Sequence, residues 1–414
     1  VLAVVLSFVV VTVVVRRPPP CAAVRPAEDL QPGTSGGMLG FVGIAALTLI
    51  VATGIAGSQI DRWNPAPVVI ALLFGGLLPL AQLAAGDVWS RVSPWPAVIQ
   101  LFAGRRRPPA PLPRVPATAV GAWPAAAFLA MLLVAVTSTT PWSPRAVGLA
   151  VLSYAALTWT AMLLFGAAWW LRHGEVVTVV SRLFAALSVR RRPFAGDLFG
   201  ASAGAGTLAL VLLLVAGGFL QALVRTRLWE TAWQSLGVQP GDLGRVHVAA
   251  ALGIVTTLVA LTYGSACVAV RVTIPDWPVR DITRAFALAL VPVGALFHVA
   301  AGIEHVVVDA QQALRLVSDP FGLGTNLFGT RSWPIVPLDA VIVWHVQLVL
   351  VVLAHVVAVY VAHVRALVLL DRPRLAMLSQ VPMLLLMLLY TVTGLWLLST
   401  VPIVVGDEPG AHAR

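Results

Sequence analysis

The sequence predicts an all-α fold: a polytopic transmembrane helical bundle of about ten spans, with short interfacial helices in its arginine-rich loops. Three observations carry that reading. Hydrophobic residues make up 59% of the 414 residues and charged ones only 11%, with a mean hydropathy of +0.91, far from the usage of a water-soluble chain. Apolar runs of about 18 residues or more, the length that crosses a bilayer, recur from end to end. The positive charge is sorted by loop, as it is in membrane proteins.

Ten spans are expected at about 1–15, 38–58, 66–86, 118–137, 147–171, 205–224, 246–270, 284–309, 339–364 and 377–400. No soluble stretch between them is long enough for a separate domain, so residues 1–414 read as one membrane domain. The first span starts at Val1 without a basic stretch ahead of it, and Arg16 and Arg17 follow it. A signal peptide has the reverse order, so this segment reads as a span whose start is truncated.

The net charge of +10 comes from arginine alone, since the chain has no lysine. Of the 27 arginines, 19 fall in the loops after spans 1, 3, 5, 7 and 9. The positive-inside rule then places those loops in the cytoplasm and both termini outside. In a soluble protein such a balance suggests nucleic acid; here it points to topology and to anionic lipids at the arginine-rich loops. Two of these loops, GDVWSRVSPWPAVIQLFAGRRRPP and GEVVTVVSRLFAALSVRRRPF, run from Gly–acid through a modest apolar stretch to three arginines and a proline. A stretch too short to span and ending in a basic cluster reads as an interfacial amphipathic helix. Their spacing differs, so the likeness reads as shared composition and not as a duplicated unit.

Cys21 lies in a proline-rich loop and Cys267 inside span 7, neither in a CxxC pair, which gives no disulfide framework or thiolate metal site. No phosphate-binding loop, dinucleotide fingerprint, HExxH or nucleophile elbow is present. Any energy source is therefore an ion gradient or a partner. The longest loop on the other side, RLVSDPFGLGTNLFGTRSWPIVPLD, is rich in turn-forming residues and reads as a lid or a packed connector. His173 and His247 sit at span ends and His412 in the tail, where solvent is the expected partner.

The candidate site lies in spans 8 and 9, which carry ionisable groups that a bilayer disfavours. Span 8 holds His298, Glu304, His305 and Asp309; span 9 holds His345, His355 and His363. His298 and His305 are seven apart and share a face. At 1.5 Å per residue His305 and His345 lie at similar depth, about 6–9 Å from the outer surface. A polar intramembrane site of His298, Glu304, His305, Asp309, His345 and His355 follows. Three chemistries suit it: a proton or ion path, a transition metal held by His305 and His345 with a carboxylate, or haem b on paired histidines drawn from His298, His305, His345 and His355. The bland reading is that the histidines hydrogen-bond across helices as packing contacts.

Four phrases, NPAPVVIALLFGG (64–76), SDPFGLGTNLFGT (318–330), WHVQLVLVVLAHVVAVYVAHVRAL (344–367) and SQVPMLLLMLLYTVTGLWLLS (379–399), resemble a family of uncharacterised multipass membrane proteins of actinobacteria. The resemblance implies a plasma-membrane location and no catalytic residue. Function therefore divides between a transporter or ion conductor, a redox subunit, and a non-catalytic scaffold.

The charge pattern makes the topology testable. Arg106→Cys and Arg191→Cys should both resist membrane-impermeant thiol reagents in intact cells. Labelling of either from outside would overturn the span assignment.

Overall fold

The computed structural model describes residues 2–17, 25–26, 39–103, 121–138, 143–370 and 373–400. Cys21, the arginine cluster Arg105, Arg106 and Arg107, Arg114, Pro402 and His412 lie outside the described residues.

Each of the ten expected spans overlaps a helix among the described residues. They are α1 (Leu2–Val14), α2 (Leu39–Ala56), α3 (Pro65–Ala85), α4 (Trp123–Thr137), α5 (Pro144–Phe165), α6 (Ala205–Leu223), α7 (Arg245–Thr273), α8 (Val279–Val317), α9 (Ala340–Leu369) and α10 (Arg374–Thr400). Eight are long and apolar enough to cross a membrane; α1 and α4, of 13 and 15 residues, are shorter apolar helices. The chain is thus an all-α membrane-embedded bundle.

Helix starts follow from local chemistry. Asn64 caps α3: its side chain accepts from Ala66 N (2.8 Å), and Pro65 occupies the first turn, where a missing N–H costs nothing. Ser143 with Pro144 does the same for α5, and Asp339 accepts from Val341 N and Ile342 N to open α9. Hydropathy placed span 8 at 284–309, but the helix runs from Val279 to Val317. Its ends carry Asp281, Arg284 and Arg315, which stop a hydropathy window without stopping a helix.

The middle of the bundle is α8. In its most apolar window 83% of residues are buried, against 17–67% in the other spanning helices. Helices α3, α6 and α9 pack against it, and α7 and α10 close around α6 and α9. Lipid tails are as apolar as leucine, so helices associate here through close packing and directed polar bonds. Tyr390 donates from α10 to Val259 O on α7 (3.1 Å), Tyr263 from α7 to Thr283 O on α8 (2.7 Å), and Gln347 from α9 to Ala300 O on α8 (3.1 Å).

The short helix expected in the second arginine-rich loop forms as Val176–Ala185, and protein encloses it. Val179, Leu183 and Phe184 are buried, and Glu175 fixes its start. The Glu175 carboxylate accepts from Tyr154 OH (2.6 Å), Val177 N (3.1 Å), Thr178 N (2.7 Å) and the Thr178 hydroxyl. A buried carboxylate is stable only with such a full set of donors.

Arg365 is likewise buried, near the arginine-rich end of α9. Its guanidinium donates to Leu198 O, Phe199 O and Ala285 O. Leu198 and Phe199 end the short helix Gly196–Phe199, and Ala285 lies in the last turn of Val279–Phe286. The cation therefore meets the carbonyls that end the helix Gly196–Phe199 and one carbonyl inside α8, just before it tightens into a 3-10 turn at Ala287–Leu290, and its planar fork reaches both together. Arg365→Ala should lower stability by about 1–3 kcal/mol for each carbonyl left unpaired, read by thermal unfolding in detergent. Arg365→Lys should recover only part of that loss, because one ammonium cannot span carbonyls on two separate helices.

Candidate functional site

Two helices break regularity opposite one another. In α3 the segment Leu73–Leu77 is a π-turn, and in α8 so is His305–Asp309. The first has a readable cause. Pro79 has no N–H, so the carbonyl of Gly75 four residues earlier loses its helical donor, and the wider turn accommodates the proline ring. Such single π-turns occur disproportionately at functional sites.

The two breaks touch through glycine. A Cβ on Gly302 would lie 1.5 Å from Gly75 O, and one on Gly76 2.4 Å from Val306 Cγ2. Backbone therefore meets backbone, and only glycine fits at Gly302. A Cβ on Gly75 would come 2.9 Å from His305 Cδ2, so the imidazole of His305 rests directly on the α3 backbone.

The polar groups follow from that contact. His298 Nε2–H donates to Phe74 O (2.7 Å), a carbonyl inside the α3 π-turn. His305 Nδ1–H donates to Asp309 Oδ2 (2.8 Å) across the α8 π-turn. The side chains of this second pair remain 41% and 24% exposed, so the pair is open at the edge of the bundle and not sealed within it. Deeper, Phe74 leads edge-on to Trp89, whose indole N–H approaches Thr178 and Glu175.

Helices α8 and α9 are neighbours, as expected, but the histidine pairing expected between them does not form. His345 is exposed and turns its Nδ1–H back to Val341 O of its own helix (2.7 Å). It sits two residues, about 200° of helix, from Gln347, whose side chain reaches α8, so it faces away from α8. His298 and His305 turn toward α3. The site placed between spans 8 and 9 is therefore corrected to the junction of spans 3 and 8, with His345 outside it. Seven-residue spacing put His298 and His305 on one face as predicted; it could not say which neighbour that face meets.

Glu304 is exposed on the outer side of α8, away from the junction. His355 is fully buried, donates from Nδ1 to Val351 O (2.8 Å) and meets the Phe297 ring edge-on, with Nε2 unpartnered. His363 ties Gln380 (3.0 Å) to Val15 O (2.8 Å) and is a packing contact. His173 is buried against Trp169, not solvated.

The metal and haem readings do not fit this arrangement. Among the described residues no three His, Cys, Asp or Glu side chains come together as a metal ion requires. His305 and His345 point to different sides of α8 and α9, so they share no ligand position. His298 has Nε2 committed to Phe74 O, and His355 lies against a phenyl ring, which leaves no facing imidazoles for an axial pair.

Sequence reasoning missed the α3 half of the site. Its signal was the GGLLP run at 75–79, two glycines four and three residues ahead of a proline inside a span. It also missed Glu175, which looked like a loop residue.

No protein-family model, no curated protein and no solved structure matches this chain.

The glycine contact predicts a sharp asymmetry between positions. Gly302→Ala should cost about 1–3 kcal/mol or more in thermal stability, because backbone cannot rotate away from the added methyl. Gly253→Ala, where a Cβ meets nothing within 4 Å, should leave stability unchanged or slightly raised.

Proposed function

We propose that this protein is a membrane transporter or ion conductor whose working groups are His298, His305 and Asp309 at the junction of α3 and α8. The observation that carries this reading is the pair of facing π-turns. A π-turn widens a helix without unwinding it and shifts its backbone hydrogen bonds out of register; such turns occur disproportionately at functional sites, and transporters place substrate and ion sites where helices lose regularity. Here both interruptions fall at one level and on one contact, with an imidazole–carboxylate pair at the rim and a second imidazole deeper. Titratable groups stepped along one helix face suit proton or cation passage.

The arginine distribution adds an orientation, with arginine-rich loops in the cytoplasm and termini outside, and the family resemblance adds the plasma membrane as the location. Arg190, Arg191 and Arg192, all exposed, would then meet anionic headgroups of the inner leaflet.

The test is flux in proteoliposomes, with proton and alkali-cation gradients applied in turn. The native protein should carry current or collapse a gradient above empty vesicles. His305→Ala and Asp309→Asn should each remove at least most of that flux with folded yield preserved, whereas His345→Ala should retain it. No flux from the native protein under any gradient, or full flux from His305→Ala, would refute the reading.

A further inference from the structure

The loop that joins α8 to α9 turns the usual surface inside out. Its polar groups point inward. The Ser318 hydroxyl accepts from Phe328 N (3.2 Å) and Thr330 N (3.1 Å). The Asp319 carboxylate accepts from Leu323 N and Gly324 N (both 2.8 Å) and from the Thr325 hydroxyl (3.0 Å), and pairs with Arg331 at 3.3 Å. Burial opposes ionisation of Asp319, but these donors and the Arg331 charge outweigh it and hold the carboxyl below the usual carboxylate value. Gly322 sits at φ +73°, which lets the chain fold back over the carboxylate.

The loop is also tied down at its edges. Ser58 N donates to Phe321 O (3.0 Å), the Thr330 hydroxyl to Leu314 O (2.7 Å), and Gln311 exchanges two hydrogen bonds with Val336. What this fixed frame presents outward is dominated by large apolar side chains, with Asn326 and Ser332 exposed among them. Leu323, Leu327, Phe328, Trp333 and Val336 are each more than half exposed. Between residues 320 and 338 the one charged residue is Arg331, and Asp319 takes its charge.

We infer that loop 318–336 is a membrane-seated platform whose apolar tips lie in the lipid leaflet on the arginine-poor side of the bundle. Two observations choose lipid as the occupant. The patch continues the lipid-facing surface of the helices it joins: Leu314 and Val317 at the end of α8, and Val341 and Ile342 at the start of α9, are also more than half exposed. At the same end of the bundle, the 57–63 turn exposes Gln59, Asp61 and Arg62 beside a single large apolar residue, Ile60, so exposed chain there is mostly polar and charged. An uncharged, aromatic-edged surface contiguous with lipid-exposed helix is what interfacial anchoring needs. It goes beyond the transport reading and does not depend on it.

Leu323→Cys and Phe328→Cys, each carrying a nitroxide, are reconstituted into phosphatidylcholine–phosphatidylglycerol vesicles. Cys21 is replaced by serine, and the buried Cys267 is left in place. Collision with oxygen should exceed collision with a water-soluble nickel chelate several-fold at both sites, and the reverse should hold at Asp61→Cys. Chelate-dominated collision at Leu323→Cys and Phe328→Cys would overturn the inference and mark the patch as a water-facing docking surface for a protein. A second measurement needs no cysteine variant. Lipids brominated on the acyl chain should quench the native fluorescence more than they quench Trp333→Phe, and equal quenching would count against the inference. Neither readout requires flux, so a silent transport assay and a water-facing loop are separate results.

Discussion

The contact on which the rest of the site depends is backbone against backbone: Gly302 of α8 against Gly75 of α3. In a bilayer no hydrophobic effect draws two helices together, so their distance is set by the size of what stands between them. With nothing between them but Cα hydrogens, α3 comes close enough for His298 to reach a carbonyl inside it and for His305 to lie on its surface. Any side chain at Gly302 moves α3 outward and separates these groups together. That single spacing is why the titratable residues of α8 act on span 3 and not on the neighbour that follows them in sequence.

The buried polar groups divide by how completely they are satisfied. Glu175 and Arg365 each collect three or more partners, and each fastens elements distant in sequence. Their cost of desolvation is offset by directed bonds, with Arg365 Nε the one donor of the pair left without a partner. Glu175 joins span 5 to the enclosed helix 176–185, and Arg365 joins α9 to the helix Gly196–Phe199 and to α8. The groups at the helix breaks differ. Among the described residues His298 and His305 use one ring nitrogen each, and the His305–Asp309 pair is partly open at the bundle edge. Each of these imidazoles keeps one ring nitrogen that the fold does not use, which is the feature the proposed transport role rests on.

Charge distribution and backbone order also work together at the other end of α8. The Asp319–Arg331 pair neutralises the two opposite charges of the connecting loop, with Asp319 buried and Arg331 partly exposed, while three backbone or hydroxyl donors hold the carboxylate in place. A flexible loop would hide Phe328 and Leu327 against the protein; this one holds them out.

By itself the sequence determined the class of molecule and roughly where its apolar helices lie. Period and length of apolar runs are local properties, and the bilayer makes them decisive, because an unpaired backbone in lipid has no alternative to the helix. It also determined that His298 and His305 share a face, since seven residues close two turns. Only the tertiary structure decided what that face meets. Helix order around α8 is a matter of which surfaces fit at glycine distance, and no period in one helix reports the shape of another. The expected His305–His345 pair failed for that reason: matched depth fixes one coordinate, and the azimuth of α9 was set by Gln347 reaching Ala300 O, which turned His345 outward. The enclosure of helix 176–185 was hidden for a related reason. Its amphipathic pattern is the same whether the apolar face meets lipid or protein, and the buried Glu175 cap, made by residues from distant helices, decides between them.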